Sequence, residues 1–174
     1  MTTTNKPSYR ASANLTVTNL HSLASSQSWI GGWTSGTIDN TTNLDLDILL
    51  SAMFTIASAN NQPGEIRVHV YAMLDDSTWP DIFSSGTEGT EGAATVHDTE
   101  QYDSHMRMIW STVVDTGTAE VHCMPKTGIA QFFGGVLPSK FAIFISQNAS
   151  TVATAGLAAS GNQVTTQGIG ITNG

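Results

Sequence analysis

Between Trp79 and His105 the chain gathers the side chains best suited to chemistry. His97, Asp98, Glu100, Asp103 and His105 place imidazoles and carboxylates in one short stretch, and such nitrogen and oxygen donors suit zinc or manganese. Their spacing matches no established metal pattern, so the stretch is read as an acidic, solvated loop, and neither metal nor cofactor is predicted. Trp79 is placed in the same excursion and, with Trp29 and Trp33, offers aromatic faces on which a sugar ring could stack. Trp110 sits in an alternating stretch and is expected in the core.

Catalytic signatures are weaker still. There is no Gly-x-Ser-x-Gly elbow, and the neighbours His122 and Cys123 in an extended run point to opposite faces, so they form no nucleophile–base pair. Asp45 and Asp47 share a strand face, but a face expected to be exposed would not raise a carboxyl pKa for acid catalysis. Gly31-Gly32 and Gly134-Gly135 lack the Lys and the helix start of a phosphate loop. Cys123 is the single cysteine, which excludes an intrachain disulfide, and it is expected as a small buried hydrophobe. No catalytic residue is assigned, and a non-enzymatic protein is predicted.

The elements that would position any site read as β structure. Leu44, Leu46, Ile48, Leu50, Ala52, Phe54 and Ile56 fall on one parity, a period of two that describes a strand with one face on a core. A helical stripe through Leu46, Leu49, Leu50, Met53 and Phe54 competes, but turn residues at both ends favour the strand. Ile66, Val68, Val70, Ala72 and Leu74 alternate in the same way after the turn at residues 59–64, so these two strands are predicted to pair antiparallel. Further alternation appears at 106–112, and strands are expected at 119–124, 141–145 and 164–171, with a turn at 115–117. The prediction is an all-β, antiparallel, jelly-roll-like sandwich of about eight strands with one long loop, residues 84–104, as an exposed recognition loop. Core expectations are Leu46, Leu50, Phe54, Val68, Val70, Trp110, Phe141 and Ile143. A flexible arm of residues 1–12, containing Lys6, Pro7, Tyr9 and Arg10, precedes a single domain of residues 13–174.

Composition narrows the function classes. At 174 residues the chain fits one domain, and its charged fraction of 11% lies far below the roughly 25% of an average soluble domain. The formal net charge is -8, which disfavours a nucleic-acid partner, since phosphate tracking needs clustered Lys and Arg. No apolar run approaches the ~20 residues of a membrane span, and Met-Thr-Thr-Thr-Asn-Lys is unlike a secretion leader. Neither a membrane nor nucleic acid is therefore expected as a partner.

Five phrases carry a resemblance: Ile38-Asp39-Asn40-Thr41-Thr42-Asn43-Leu44-Asp45-Leu46, Arg67-Val68-His69-Val70-Tyr71, Asp75-Asp76-Ser77-Thr78-Trp79-Pro80-Asp81, Leu137-Pro138-Ser139-Lys140-Phe141 and Leu157-Ala158-Ala159-Ser160-Gly161-Asn162. In this order they resemble small β-rich structural proteins of tailed bacteriophages. The resemblance covers most of residues 37–172 and implies a capsid decoration, or cement, protein, a β-sandwich or jelly-roll trimer seated on the major capsid protein. It further implies synthesis in the host cytoplasm and a final place on the virion surface. Charge, not the resemblance, marks the arm: it carries Lys6 and Arg10 and no acidic residue on an otherwise acidic chain, so Lys6, Pro7, Tyr9 and Arg10 are read as a capsid-contact arm that docks on an acidic neighbour. The chain departs from the pattern between Phe83 and His105 and in the N-terminal arm. The alternative is a tail-associated receptor- or carbohydrate-binding module using Trp79, His97, Asp98, Glu100, Asp103 and His105.

Overall fold

The long alternation forms strand β5, Asp47–Thr55, in which Ile48, Leu50, Ala52 and Phe54 are buried while Leu49, Ser51, Met53 and Thr55 face outward. The computed structural model describes residues 5–57, 63–115, 119–149 and 156–173. Within them, β1 (Asn5–Tyr9), β2 (Ala13–Asn14), β3 (Gly31–Thr34) and β4 (Ile38–Asp39) precede β5. After it come β6 (Gly64–Ala72), β7 (Phe83–Ser85), β8 (Gly92–Val96), the helix α1 (Thr99–His105), β9 (Arg107–Val114) and β10 (Val121–Gly128). A 3-10 turn at Ala130–Phe133, then β11 (Lys140–Gln147) and β12 (Gln163–Asn173), complete the order.

The strands make two antiparallel sheets, as expected of a sandwich. One has the order β1-β12-β5-β10, with β2 also on β12; the other runs β7-β8-β3-β11-β6-β9, with β4 also on β11. Leu50, Phe54, Met124 and Val164 of the first sheet meet Val68, Val70, Phe141, Ile143 and Ile145 of the second in one core. Trp110 is half-buried at the side of that core, stacked on Phe54 with ring centroids 5.8 Å apart.

The second sheet is covered on both faces. Its outer side carries Tyr71, Ala142 and Phe144, and onto these fold Ile82, Phe83, Ala94, Val96, Tyr102 and Met106, a second small core. The segment expected as an exposed loop is therefore largely a cover, with two strands and a helix of its own. The helix escaped the sequence reading because its seven residues bury only Tyr102, too short a stripe to show a period. The first sheet has no such cover among the described residues.

Three expectations about strands need correction. The described residues hold twelve strands rather than about eight, the extra ones being two to five residues long. The strands β5 and β6 do not pair: β5 lies between β12 and β10, and β6 between β11 and β9. A turn signal marks a reversal but does not tell a hairpin from a crossing between sheets. Leu44 and Leu46 precede the strand and are exposed, Leu44 with a φ of 49° in a turn closed by Asn40. Residues 58–62 and 116–118, which hold most of two predicted turns, lie outside the described residues, as do the first four of the predicted arm.

Candidate functional site

The acidic, imidazole-bearing stretch resolves into local structural roles. Asp98 caps α1, its Oδ1 accepting from the Gln101 N–H at 2.8 Å, while Glu100 lies in the first turn and His105 in the last, the charge order that suits a helix dipole. His97 lies 3.4 Å from Asp81, and Asp103 and His105 are exposed. Among the described residues no three His, Cys, Asp or Glu side chains come together in a way that would hold a metal ion. Other acids of this segment hold backbone: Glu88 accepts from the N–H groups of Ile82 and Phe83 at 3.0 and 2.9 Å. Glu91 takes the Trp33 indole N–H and the Asn19 N–H, each at 2.8 Å. Burial opposes its charge, but these donors outweigh it and hold its carboxyl below the usual value.

The tryptophans do not assemble into one platform. Trp33 is fully buried, and Trp29 lies under the Arg67 guanidinium at 3.7 Å. Trp79 is half-buried against Tyr71, ring centroids 5.3 Å apart. Gly89, with φ of 67°, also packs on it, and a Cβ there would meet the indole at 2.5 Å. That glycine answers both a left-handed backbone and a close approach.

The interior holds a polar cluster that periodicity does not reveal. The Tyr102 hydroxyl lies 3.1 Å from His69 Nδ1 and 3.3 Å from Ser146 Oγ, with His69 and Ser146 both buried. Burial, aided by the Arg67 charge, lowers the His69 pKa from 6.5 to about 3, so the imidazole is neutral at ordinary pH. A cluster so enclosed orients the cover segment on the second sheet.

Of the residues predicted as a flexible arm, Asn5 to Arg10 are strapped down. β1 pairs along β12 from Asn5 opposite Asn173 to Tyr9 opposite Ile169. Beyond it, Arg10 Nε donates to Asp45 Oδ1 at 2.5 Å and its Nη2 to the Asn43 carbonyl at 2.9 Å. Asp45 is thus buried, contrary to the exposed face expected of it, and Asn40 brackets its backbone through bonds of 2.8 and 3.0 Å. Lys6, Pro7 and Tyr9 remain exposed.

What gathers at one place is the outer face of the five-stranded sheet. Met53 lies between Gln163 and Cys123, Ser51 beside Thr165, Leu49 beside Gln167, Thr55 beside Val121, and Tyr9 beside Ile169. Tyr9, Val121 and Ile171 are large apolar groups left 66%, 59% and 53% exposed. Cys123 is exposed here, not buried as expected. Among the described residues this face carries one cation, Lys126, which donates to Gln167 at 2.5 Å. The carboxylate of matching parity, Asp47, turns to the N–H groups of Ile48, Ile129 and Ala130 at 2.8–2.9 Å. Both sheet edges are blunted: β1 contains Pro7, and β10 bulges between Met124 and Thr127 around Pro125.

No protein-family model matches the chain, and no curated protein sequence matches it either.

Proposed function

We propose that this chain is a non-enzymatic structural protein that builds into a multi-subunit particle through the bare face of its five-stranded sheet. The observation that carries the reading is an asymmetry: the second sheet is covered outside by its own chain, whereas the first presents an almost uncharged surface on a chain of net charge -8. Acidic copies repel one another wherever carboxylates meet, so a face without free carboxylates is where they can approach. Blunted edges direct that contact to the face rather than to strand addition. By the resemblance that the phrases between Ile38 and Asn162 carry, the particle is a tailed-phage capsid, with the chain as a decoration protein, a trimer on the major capsid protein.

The test introduces charge. Ser51→Glu with Val121→Glu places carboxylates on the outer face without touching the core. Light scattering on the parent chain should give an oligomer mass and on the double variant the monomer, with unchanged circular dichroism. Purified heads lacking the protein should take up the parent chain at a lattice-defined stoichiometry and the variant poorly. A monomeric parent chain that leaves heads unbound would overturn the reading.

A further inference from the structure

A second surface differs in chemistry from the bare sheet. Where β6 ends, Met73 and Leu74 line an open cleft of about 470 Å³ together with Phe132, Phe133, His105 and Arg107. Phe133 is braced on Phe141, ring centroids 6.1 Å apart, so the apolar floor is fixed. Leu74 is 70% exposed at the rim. No Asp or Glu lines this cleft, although acids outnumber bases by 14 to 6 in the chain.

The cation on its wall is prepared for an anion. Arg107 Nη1 donates to the carbonyls of Ser104 and Met106 at 3.2 and 3.1 Å, which anchor it at the end of α1. Among the described residues no carboxylate forms an ion pair with it, whereas Arg10 and Arg67 each have one. A tethered guanidinium keeps its remaining N–H groups in a planar fork that fits a carboxylate edge-on. The cleft is open to solvent, whereas small-molecule sites enclose most of their ligand, so an exposed segment of chain is the better occupant.

We infer that this cleft is a docking site for a peptide segment of a partner protein, one that sets an Asp or Glu carboxylate on Arg107 and a large apolar side chain two residues away on Phe132 and Phe133. The site is separate from the sheet face and does not depend on self-association. Charge complementarity selects the occupant: the fixed cation accepts an acidic segment and rejects a basic one.

The probes are N-acetylphenylalaninate, which joins a ring to a carboxylate, its amide, which keeps the ring alone, and acetate, which keeps the charge alone. NMR titration of the intact chain should show saturable shifts at Arg107 Nε–H and around Phe133 with the first, at a Kd of about a millimolar, as befits a fragment of this size. The amide and acetate should each bind at least about tenfold more weakly, the loss expected for one charge-assisted or one apolar contact. Leu74→Asp, a change at an exposed rim, should weaken the first probe by about tenfold, and Arg107→Lys should weaken it by less than Arg107→Gln. Val136→Ser, at an exposed residue outside the lining, should leave binding unchanged. A blocked peptide with Phe and Asp two residues apart should bind more tightly than the fragment and its Asn counterpart should not. Equal binding of acid and amide, absence of any saturable shift, or a fragment that outbinds the peptide would overturn the assignment.

Discussion

Neutral His69 is buried against Tyr102, where desolvation and the nearby Arg67 charge disfavour its protonated form, and stability must register that. Its pKa of about 3 in the fold lies below the ordinary value of 6.5, so between those limits the unfolded chain holds a proton that the folded chain refuses. Stability then rises with pH across this window, and the penalty is absent above the unfolded value. Acidification below 6.5 should cost up to about 1.4 kcal/mol per pH unit from this residue. Urea unfolding of His69→Asn, which keeps an acceptor for the Tyr102 hydroxyl, should show a slope shallower by about one proton. An identical slope in the two proteins would exclude His69 as its source. Packing has a parallel test in Phe54, fully buried and stacked on Trp110: Phe54→Ala should lower unfolding free energy by about 3–5 kcal/mol. A loss below about 1 kcal/mol would mean that the ring is not part of the core.

At the scale of elements, β12 is shaped around an ion pair. A Cβ on Gly168 would collide with the Asp45 carboxylate and come within 3.1 Å of the Arg10 side chain, and one on Gly170 would press on the same carboxylate at 3.3 Å. Glycine at alternate positions therefore opens a slot in which Arg10 reaches Asp45 and ties the end of β1 to the turn before β5. Gly168→Ala should destabilise the chain. Arg10→Ala should cost about 1–3 kcal/mol, because it leaves a buried carboxylate unpaired while the partly exposed guanidinium gives back some hydration. Adding Asp45→Asn should recover much of that loss, and a strictly additive double variant would show that the two groups do not act together. This slot also marks the limit of what the sequence displays. The strand β5 was legible because its own alternation reports its environment. Asp45 was misread because its burial depends on Arg10, 35 residues earlier, and on glycines more than a hundred residues later. The cover over the second sheet was misread for a related reason: Ser, Thr, Gly and Glu suggest a solvated loop, yet Glu88 and Glu91 satisfy backbone and indole donors there. The outward face of the first sheet was visible residue by residue in β5, but its extent required the register of four strands.

For the whole molecule, the sign of the salt response separates two ways of assembling. Docking a basic arm on an acidic neighbour is an attraction that added salt screens, so it weakens as ionic strength rises. Arg10 is already paired with Asp45, and β1 is already paired with β12, so one of the two cations predicted for such an arm is committed inside the subunit. Contact between bare sheet faces has the opposite balance: apolar and neutral polar groups attract, while the net charge of -8 on each copy opposes approach. Screening reduces only the repulsion. Shortening the Debye length from about 30 Å at 0.01 M salt to about 10 Å at 0.1 M should therefore strengthen self-association. Sedimentation equilibrium across that range should show the oligomer fraction rising at fixed protein concentration. Ser51→Glu with Val121→Glu should move the transition to higher salt, because the new carboxylates bring like charges into the interface, where juxtaposition costs several kcal/mol. Association that declines steadily as salt is added would exclude the face-to-face contact and return the exposed cation Lys6 to the centre of the assembly question.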